Sequence, residues 1–435
     1  MSEEATLDEF QNKLEGDQRQ DWRKVKLGEV SWKRSENVDP QEVDIDRHVG
    51  LEHIEPNTPS PNWEPLDDLS STKRRFHSGD ILFAKLRPNL EKSAQPDFEG
   101  VSSTDIFPIV AEQGINSKYL LYRLSSKPAF DYARRTSAGT RMPRTSWNLF
   151  SNFEFDLPSV IEQRKIATIL YTVDRAIEKT KKILDQSRQI KKGVVQNLMT
   201  KGAQQHTSYE DYRLGPIDLT KPKEWDLRSF GDFSFRIQDG PHITPDYVDE
   251  GVSFVSSQNV NPFGEEFDYS QYEKYISEST YEEINQNCRP EKGDLIISRR
   301  ATIGPTQLIR HNDQFGYFVG VAVIKTDDTV YNPFLEQLMN WSVMNKLWHL
   351  KSPGSTMKTL NLGTIKEQKI PVPSIQEQKE IAEMIGSIDK EIANNQRYKE
   401  SLQHLKRGLQ QDLLSGTVRT TNTNIEIPDE IAQHG

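Results

Sequence analysis

The chain has 435 residues, more than one hydrophobic core usually holds, so we expect two or more domains. Its formal net charge of −10 at pH 7 argues against a protein covered in basic surface but is compatible with local basic patches. The single cysteine, Cys288, excludes a disulfide framework and a multi-cysteine zinc site. Because the sequence has no apolar run of ~20 residues and no signal-peptide core, we expect a cytoplasmic protein.

The first half of the chain begins as a polar segment and continues as a mixed α/β domain. Residues 1–21 are rich in Glu, Asp and Gln, which is typical of a flexible tail. The predicted domain, 22–157, opens with Trp22, six residues before a Gly-Glu pair. A turn at Gly79 introduces an apolar strand, and a loop of small residues, 137–142, precedes a last short strand.

Residues 158–202 are predicted to form one long helix. The segment starts with Pro158 and a capping box, in which Ser159 and Glu162 satisfy orphan amides of the first turn. About 40 helical residues span roughly 60 Å at ~1.5 Å per residue. Apolar residues recur at helical spacing and form one narrow stripe: Ile166, Leu170, Val173, Ile177, Leu184, Ile190, Val194 and Leu198.

The second half repeats this order at an offset of 215 residues between the helix starts. A linker is predicted at 203–224, a second mixed α/β domain at 225–372 and a polar tail at 417–435. This domain also opens with a tryptophan, Trp225, six residues before a Gly-Asp pair, and its own small-residue loop spans 352–357.

A second long helix is predicted at 373–416. It begins with the same Pro-Ser-x-x-Glu-Gln sequence, so Ser374 and Glu377 are predicted to cap it. Its apolar stripe consists of Ile381, Ile385, Ile388, Ile392, Leu402, Leu405, Leu409 and Leu413.

We therefore predict an α+β fold made by tandem duplication, in which two mixed α/β domains are each followed by a long helix. The simplest way to bury both stripes packs them together as a coiled coil. Thr180 and Asn395 occupy the same register position and interrupt both stripes, and a polar residue in a seam can fix the register. The alternative is a pair of amphipathic helices that lie separately on the globular domains.

The sequence contains no recognisable catalytic motif. The segments 261–263 and 332–334, both Asn-Pro-Phe, come nearest to a methyltransferase motif but lack its second proline. There is no Walker A phosphate loop, and the nine histidines form no HxxxH or HExxH metal spacing. We therefore predict no catalytic residues and no metal site.

Positive charge instead clusters on loops at equivalent places in the two halves. Arg and Lys neutralise phosphates or pair with guanine, and neighbouring Ser, Thr and Gly allow close backbone approach. For any single residue, ordinary solvated charge is the simpler explanation, but the repetition of the clusters favours DNA contact. The candidate DNA-binding residues are Lys73, Arg74, Arg75, Lys85, Arg87, Arg134, Arg135, Thr140, Arg141, Arg144, Arg299, Arg300, Lys351, Ser355, Thr356 and Lys358.

The chain resembles the specificity subunit of a type I restriction-modification system. The resemblance rests on the doubled Pro-Ser-x-x-Glu-Gln-x-x-Ile-Ala helix starts, on the Gly-Ser/Thr loops about twenty residues before them, and on the tryptophan openings. It covers residues 22–416, and the ordered set repeated twice is far more specific than any single motif.

The resemblance implies two target-recognition domains, each recognising one half of a split double-stranded DNA target, and two antiparallel helices, related by a pseudo-two-fold axis, that set the spacing. It also implies no catalysis by the chain itself. Methyltransferase (modification) subunits, two of them, and restriction/translocase subunits would be the partners, and they would carry S-adenosylmethionine, ATP and Mg²⁺. The competing hypotheses are a non-catalytic coiled-coil scaffold without sequence-specific DNA binding and an enzyme with an unrecognised active site.

Overall fold

The computed structural model describes residues 21–66, 69, 71–270, 272–352 and 358–433. The chain forms two compact units: unit 1 comprises 21–182 with 397–433, and unit 2 comprises 183–396. Both long helices therefore contribute to both units. The predicted tail up to residue 20 lies outside the described residues, as do Ser355 and Thr356 of the second small-residue loop.

The strands of unit 1 are β1 (Arg23–Lys26), β2 (Ser31–Lys33), β3 (Asn37–Val38), β4 (Arg47–Val49), β5 (Glu64–Pro65), β6 (Lys73–Phe76), β7 (Ile81–Ala84), β8 (Ser93–Ala94), β9 (Gly100–Ser102), β10 (Ile106–Ala111) and β11 (Glu154–Leu157). They form two sheets, with strand orders β2-β10-β7-β8 and β3-β6-β9-β4-β5, and the separate pair β1-β11. Short helices span Leu27–Val30, Ser117–Leu124, Lys127–Arg135 and Trp147–Phe150, and 3₁₀ turns span Leu51–His53 and Pro88–Leu90.

The predicted apolar strand after Gly79 is the central strand β7 of the four-stranded sheet. All four of its residues are buried, and Gly79 adopts φ +86°, a left-handed conformation that suits glycine. Phe83 stacks on Phe130 and Phe150 at ring-centroid distances of 5.2 and 4.4 Å. The same core includes residues of both long helices, such as Leu170. The unit 1 globular domain and its helix segments therefore share one hydrophobic core.

Unit 2 repeats this frame. Its strands are β12 (Tyr209–Leu214), β13 (Ile217–Pro222), β14 (Asp226–Ser229), β15 (Ser234–Asp239), β16 (Tyr247–Val248), β17 (Val252–Val255), β18 (Tyr275–Ile276), β19 (Leu295–Ser298), β20 (Thr306–Leu308), β21 (Phe315–Tyr317), β22 (Val321–Thr326) and β23 (Lys369–Val372). The pair β14-β23 corresponds to β1-β11, the sheet β15-β22-β19-β20 corresponds to β2-β10-β7-β8, and β16-β18-β17-β21 forms a further sheet. Short helices span Phe230–Phe233, Glu278–Asn285, Asn332–Asn340, Ser342–Leu350 and Leu362–Glu367.

The segment 203–224, predicted as a linker from its polar composition, contains the antiparallel hairpin β12-β13. Its turn is at Gly215, with φ +62°. Lys221 is buried and donates to Glu210 Oε1 at 2.6 Å and to the Trp225 carbonyl at 2.5 Å. These partners satisfy a buried ammonium, which composition alone did not indicate.

The segment after the second long helix, predicted as a polar tail, packs against unit 1. Lys165 donates to three of its carbonyls, those of Thr420, Thr421 and Thr423, at 2.8–3.1 Å. The final short helix, Asp429–Ala432, buries Ile431 in the unit 1 core. A few apolar anchors in a polar segment therefore suffice to hold it.

The two long helices span Val160–Lys201 and Ile375–Ser415, close to the predicted bounds. In unit 1 the start of the first long helix shares a core with the end of the second; in unit 2 the end of the first shares a core with the start of the second. Their packing is therefore antiparallel within each unit. Among the described residues, no helix has both the length and the apolar character needed to span a bilayer.

The predicted apolar stripes are wrong at one equivalent pair of positions. Ile190 is 60% exposed and Leu405 is 51% exposed. The next residue in each helix, Lys191 or Lys406, turns inward and pairs with an aspartate of the other helix. Of the predicted polar interruptions, Thr180 is buried and its hydroxyl donates to the carbonyl of residue 176.

Candidate nucleic-acid interface

Two loops of unit 1 that carry predicted DNA-binding residues run side by side. A backbone bridge between Leu86 and Arg144 joins the loop after β7 to the segment 138–145, and a second bridge, between Ala138 and Arg144, closes that segment on itself. The Arg87 amide donates to the Pro143 carbonyl at 2.8 Å. The backbone therefore brings together basic residues that lie more than fifty positions apart in the sequence.

Four cations gather around Asp105 and the neighbouring Phe107 ring, an arrangement we call the Asp105 cluster. Arg144 forms a two-pronged ion pair, with Nε 2.9 Å from Oδ1 and Nη2 3.0 Å from Oδ2. The Lys85 ammonium lies 3.8 Å from Oδ1. Lys33 and Lys85 both point at the Phe107 ring, 6.0 and 5.7 Å from its centroid. The fourth cation is Arg74, close enough to influence the titration of Asp105, Lys33 and Lys85.

The Asp105 cluster carries more positive charge than its own carboxylate neutralises. Burial, together with repulsion from the neighbouring cations, lowers the pKa of both Lys33 and Lys85. Arg74 Nε and Nη1 are buried and have no hydrogen-bond partner among the described residues. An added anion beside the exposed Arg144 would offset the excess positive charge, which suits this cluster to a phosphate group.

An exposed basic side chain can exchange its acidic partner for a phosphate, whereas a buried one cannot. The Arg144 side chain is 42% exposed, and an exposed ion pair contributes little to stability. Arg144 can therefore exchange Asp105 for a phosphate at small cost. Arg134, paired with Glu91 at 3.2 Å and with Asp131, is about one-third exposed.

Two predicted DNA-binding residues are buried and belong to the interior of their domains. Lys73 donates to the carbonyl and the hydroxyl of Ser71. Arg299 pairs with Asp239 and donates to the carbonyls of Leu360 and Val319. Removing one partner of a buried ion pair costs about 3–5 kcal/mol, so Arg299 is held on Asp239. Lys73 is excluded by its burial alone, and we remove both cations from the candidate surface.

The remaining predicted residues of unit 1 differ in their surroundings. Arg75 pairs with Glu36 and Glu99 at 3.2 and 2.6 Å. Arg135 lies 5.8 Å from the Tyr132 ring. The residues with exposed side chains are Arg87, Arg135, Thr140, Arg141 and Arg144.

In unit 2 two of the predicted residues, Arg299 and Arg300, directly follow β19. Arg300 forms a backbone bridge with Thr359, next to the exposed Lys358. Lys351 donates to Gln368 Oε1 at 2.6 Å and closes the end of the helix Ser342–Leu350. The Arg300–Thr359 bridge therefore brings Arg300 close to Lys358.

At the helix starts the Ser half of the predicted capping box is present, whereas the carboxylate of the repeated Glu bonds elsewhere. Ser159 and Ser374 each accept from the amide three residues on, at 3.3 Å, as predicted. The Glu162 carboxylate, however, accepts from the Trp22 indole at 3.1 Å and from Arg419 at 2.8 and 2.9 Å. Each carboxylate thus joins a domain opening to the chain that follows the other helix.

The equivalent contacts in unit 2 repeat this arrangement. Glu377 accepts from the Trp225 indole at 2.9 Å, from the amides of Ala203 and Gln204 at 3.0 and 3.3 Å, and from His206 at 2.9 Å. The repeated tryptophan and the repeated Glu are therefore partners. The sequence contained both motifs, but nothing in it showed that they meet.

One group of possible metal ligands is present among the described residues: His48, His53 and Glu64. His48 Nδ1 lies 2.8 Å from one carboxylate oxygen, and His53 Nε2 lies 3.7 Å from the other. His53 Nδ1 accepts from the Gly50 amide at 2.9 Å, so in a neutral ring the proton sits on Nε2 and faces Glu64. A metal ligand needs a free lone pair there, so hydrogen bonding explains this group better.

Sequence reasoning missed Lys33 and Asp105 in the candidate interface. Asp105 was unremarkable because only folding gathers cations around it. Lys33 had a signal: it follows the exposed Trp32, and the equivalent strand β15 carries the exposed Phe235 and Arg236 at the offset that relates Trp22 to Trp225. A comparison of the halves from their tryptophan openings would have found this repeated aromatic–cation pair.

Comparison with known proteins identifies the family. The family model for the type I restriction modification DNA specificity domain matches residues 19–186 and 222–404. The type I restriction enzyme MjaVIII specificity subunit of Methanocaldococcus jannaschii is 27% identical over 318 residues, 70% of this chain and 71% of that protein. The putative MjaX specificity subunit of the same organism is 27% identical over 404 residues, 89% of this chain and 86% of that protein.

Solved structures have the same fold. The type I restriction-modification S subunit from M. genitalium has a TM-score of 0.56 at 13% identity, covering 90% of this chain and 96% of its own. A chain from a study of complex assembly and conformational transition of the type I R-M system has a TM-score of 0.50 at 20% identity, covering 92% of this chain and 99% of its own. The duplicated α+β fold is thereby confirmed. The chain belongs to the family of type I restriction-modification DNA specificity domains, and it carries that domain twice.

Proposed function

We propose that the protein is the sequence-specific, double-stranded DNA-binding specificity subunit of a type I restriction-modification complex, and that each α/β domain recognises one half of a split target. The observation that carries this proposal is the duplication itself. Two domains with the same framing strands are attached in the same way to the long helices but present different side chains at equivalent exposed places. A shared frame with different surfaces suits two recognition events of one kind.

The DNA-contacting surface proposed for unit 1 consists of the Asp105 cluster and the exposed residues beside it. Its half-buried cations exceed the local negative charge, and its exposed arginine has a partner that is easily exchanged. In unit 2 the proposed surface consists of Arg300 and Lys358. Phosphate contacts would position each domain, whereas base contacts would determine the sequence.

The long helices are proposed to set the gap between the half-sites and to dock methyltransferase subunits. Helices of 42 and 41 residues span about 60 Å at ~1.5 Å per residue, enough for sites one to two DNA turns apart at ~34 Å per turn. The exposed Ile190 and Leu405 occupy equivalent positions in the two helices, which favours two equivalent docking faces.

We propose that catalysis belongs to those partners. The specificity subunit would act in the cytoplasm without a cofactor of its own. Methyltransferase subunits would bring S-adenosylmethionine, and restriction/translocase subunits would use ATP and Mg²⁺.

The Arg144→Ala variant tests the proposed surface. We expect weaker binding to target and to unrelated duplexes alike, with the slope of log K against log salt reduced by about one unit, because one phosphate contact is lost. Arg213→Ala is the control, since Arg213 is 72% exposed and pairs with Asp218 across the β12-β13 hairpin. Unchanged affinity and salt slope for Arg144→Ala would remove this loop from the DNA surface. Equal affinity of the wild-type complex for all duplexes would contradict the proposed function.

A further inference from the structure

In unit 1 one lysine joins both long helices to the globular domain. The ammonium of Lys406, on the second long helix, lies 2.6 Å from Asp174 Oδ1 on the first. The same ammonium donates to the Asn57 carbonyl at 3.0 Å, and the Tyr122 hydroxyl donates to Asp174 Oδ2 at 2.8 Å. The lysine and aspartate side chains are only 9% and 4% exposed. We call this group the unit 1 junction.

Unit 2 contains a junction of the same design with the helices exchanged. The ammonium of Lys191, on the first long helix, lies 2.5 Å from Asp389 Oδ1 on the second. It also lies 3.7 Å from the centroid of the Phe263 ring, and Gln337 donates to Asp389 Oδ2 at 3.0 Å. Here the lysine and aspartate side chains are 18% and 19% exposed.

The members of the two junctions occupy equivalent positions in the duplicated sequence. The offset of 215 relates Asp174 to Asp389, Lys191 to Lys406, and Tyr122 to Gln337. The aspartate and the lysine are identical in the two halves, whereas the donor and the loop contact from the globular domain differ. The Lys–Asp pair is thus the same in both units, whereas the contacts that it makes with the globular domain differ between them.

The loop contact in each junction comes from a non-glycine residue with a left-handed backbone. Asn57 has φ 60° and Phe263 has φ 65°. Such conformations are costly for non-glycine residues and persist where surrounding contacts hold them. The Phe263 amide donates to the buried Glu336 at 3.2 Å, which fixes this loop from the domain side.

A buried ion pair is poor evidence of a purely stabilising role, because apolar residues of similar size often stabilise as well or better. A buried charge does require its partners in one geometry, so it can specify one arrangement among several. At each junction the partners belong to both helices and to the domain. The lysine keeps all of these contacts when both helices and the domain are correctly placed.

We propose that these two junctions are positioning sites, which hold each recognition domain in one orientation on the helices and thereby restrict the gap that the protein accepts between its half-sites. The inference rests on the proposed function, since it assigns a specificity role to residues remote from the DNA surface. Lys191 and Lys406 act through the loops that they hold, at 261–264 and 55–58.

The first test is hydrogen–deuterium exchange of the full chain. We expect Lys406→Met to speed amide exchange in segment 55–58 tenfold or more and to leave 261–264 unchanged. Lys191→Met should give the opposite pattern. Lys192→Met and Arg407→Met, at the exposed neighbouring positions, are the matched controls and should change neither loop. A general loss of stability would affect both loops and would overturn the proposal, as would an absence of any change.

A second pair of variants guards against misfolding caused by an unpaired buried carboxylate. Asp174→Asn combined with Lys406→Met removes both charges at one junction, and Asp389→Asn with Lys191→Met does so at the other. Because methionine offers neither the donor that the Asn57 carbonyl accepts from nor the cation above the Phe263 ring, the loop-specific increase in exchange should persist in each double variant. Its disappearance would show that misfolding, and not loop positioning, caused the effect in the single variants.

The second test measures gap selectivity in the complex with the methyltransferase subunits. Adenine methylation is compared on duplexes that carry both half-sites at the natural gap and at gaps one base pair shorter and longer. We expect each lysine variant to lower the preference for the natural gap tenfold or more, and both controls to retain it. Equal loss of methylation at all gaps, or full retention of the preference, would overturn the inference. If the wild-type complex methylated no split target, the proposed function would fail, and the exchange experiment alone would still decide whether the junctions hold the loops.

Discussion

At the level of single residues, burial decides which charges serve structure and which remain available for binding. Arg144 and Arg299 lie in comparable basic segments, but one is 42% exposed at its side chain and the other 6%. The sequence showed both as members of repeated basic clusters. It could not show the buried Asp239 that fixes Arg299, because their pairing joins strands sixty positions apart.

The Glu162 carboxylate is the clearest residue-level test of the duplicated frame. It is 2% exposed and pairs with Arg419, whose side chain is 16% exposed. Glu162→Gln keeps the shape but removes the charge, so we expect a loss of about 3 kcal/mol in the stability of unit 1. Urea unfolding, followed by tryptophan fluorescence, measures it.

Glu178→Gln is the matched control for that substitution. Glu178 is 48% exposed and pairs with Lys182 on the same helix, a contact that contributes about 0.3–0.5 kcal/mol. If the two variants unfolded at the same urea concentration, the contact between Glu162 and the chain after the second helix would carry no stabilising role.

At the level of elements, helices and buried strands followed their sequence patterns well. The long helices, the apolar strand β7 and its counterpart β19 were recognisable because apolar spacing and turn residues are local signals. The β12-β13 hairpin and the segment after the second helix were not, since a few anchors such as Lys221 and Ile431 hold otherwise polar chain. The exposed Ile190 and Leu405 show that spacing alone misassigns positions beside a buried ion pair.

Matched insertions test whether the helices act as a ruler. Four residues inserted after Lys182 and four after Arg397 lengthen both helices by about 6 Å, a little over one turn, and keep both junctions intact. We expect a folded protein that recognises the same half-sites with a gap one or two base pairs wider. Circular dichroism checks the fold, and the methylated sequence gives the gap.

An insertion into one helix alone is the control. It changes the separation of Asp174 and Lys191 without changing that of Asp389 and Lys406, so one junction must break. We expect loss of stability and of assembly with the methyltransferase. A doubly inserted protein that remained active at the original gap would limit the helices to a docking role.

At the level of the whole molecule, the duplication could be recognised in the sequence, but the surfaces proposed to contact DNA could not. Framing phrases repeat because both halves attach to helices in the same way, through the Trp22–Glu162 and Trp225–Glu377 contacts. The candidate interface forms from strand ends that lie far apart in sequence. Its central acid, Asp105, therefore had no local signature, whereas its basic loops did.

Each α/β domain is proposed to recognise one half of a split DNA target. The most direct measurement maps methylated adenines in DNA after co-expression with the neighbouring methyltransferase, for the wild type and for a chimera in which residues 22–157 come from another family member. We expect the chimera to change one half of the methylated sequence and to retain the other half and the gap. A change in both halves, or in neither, would contradict this proposal.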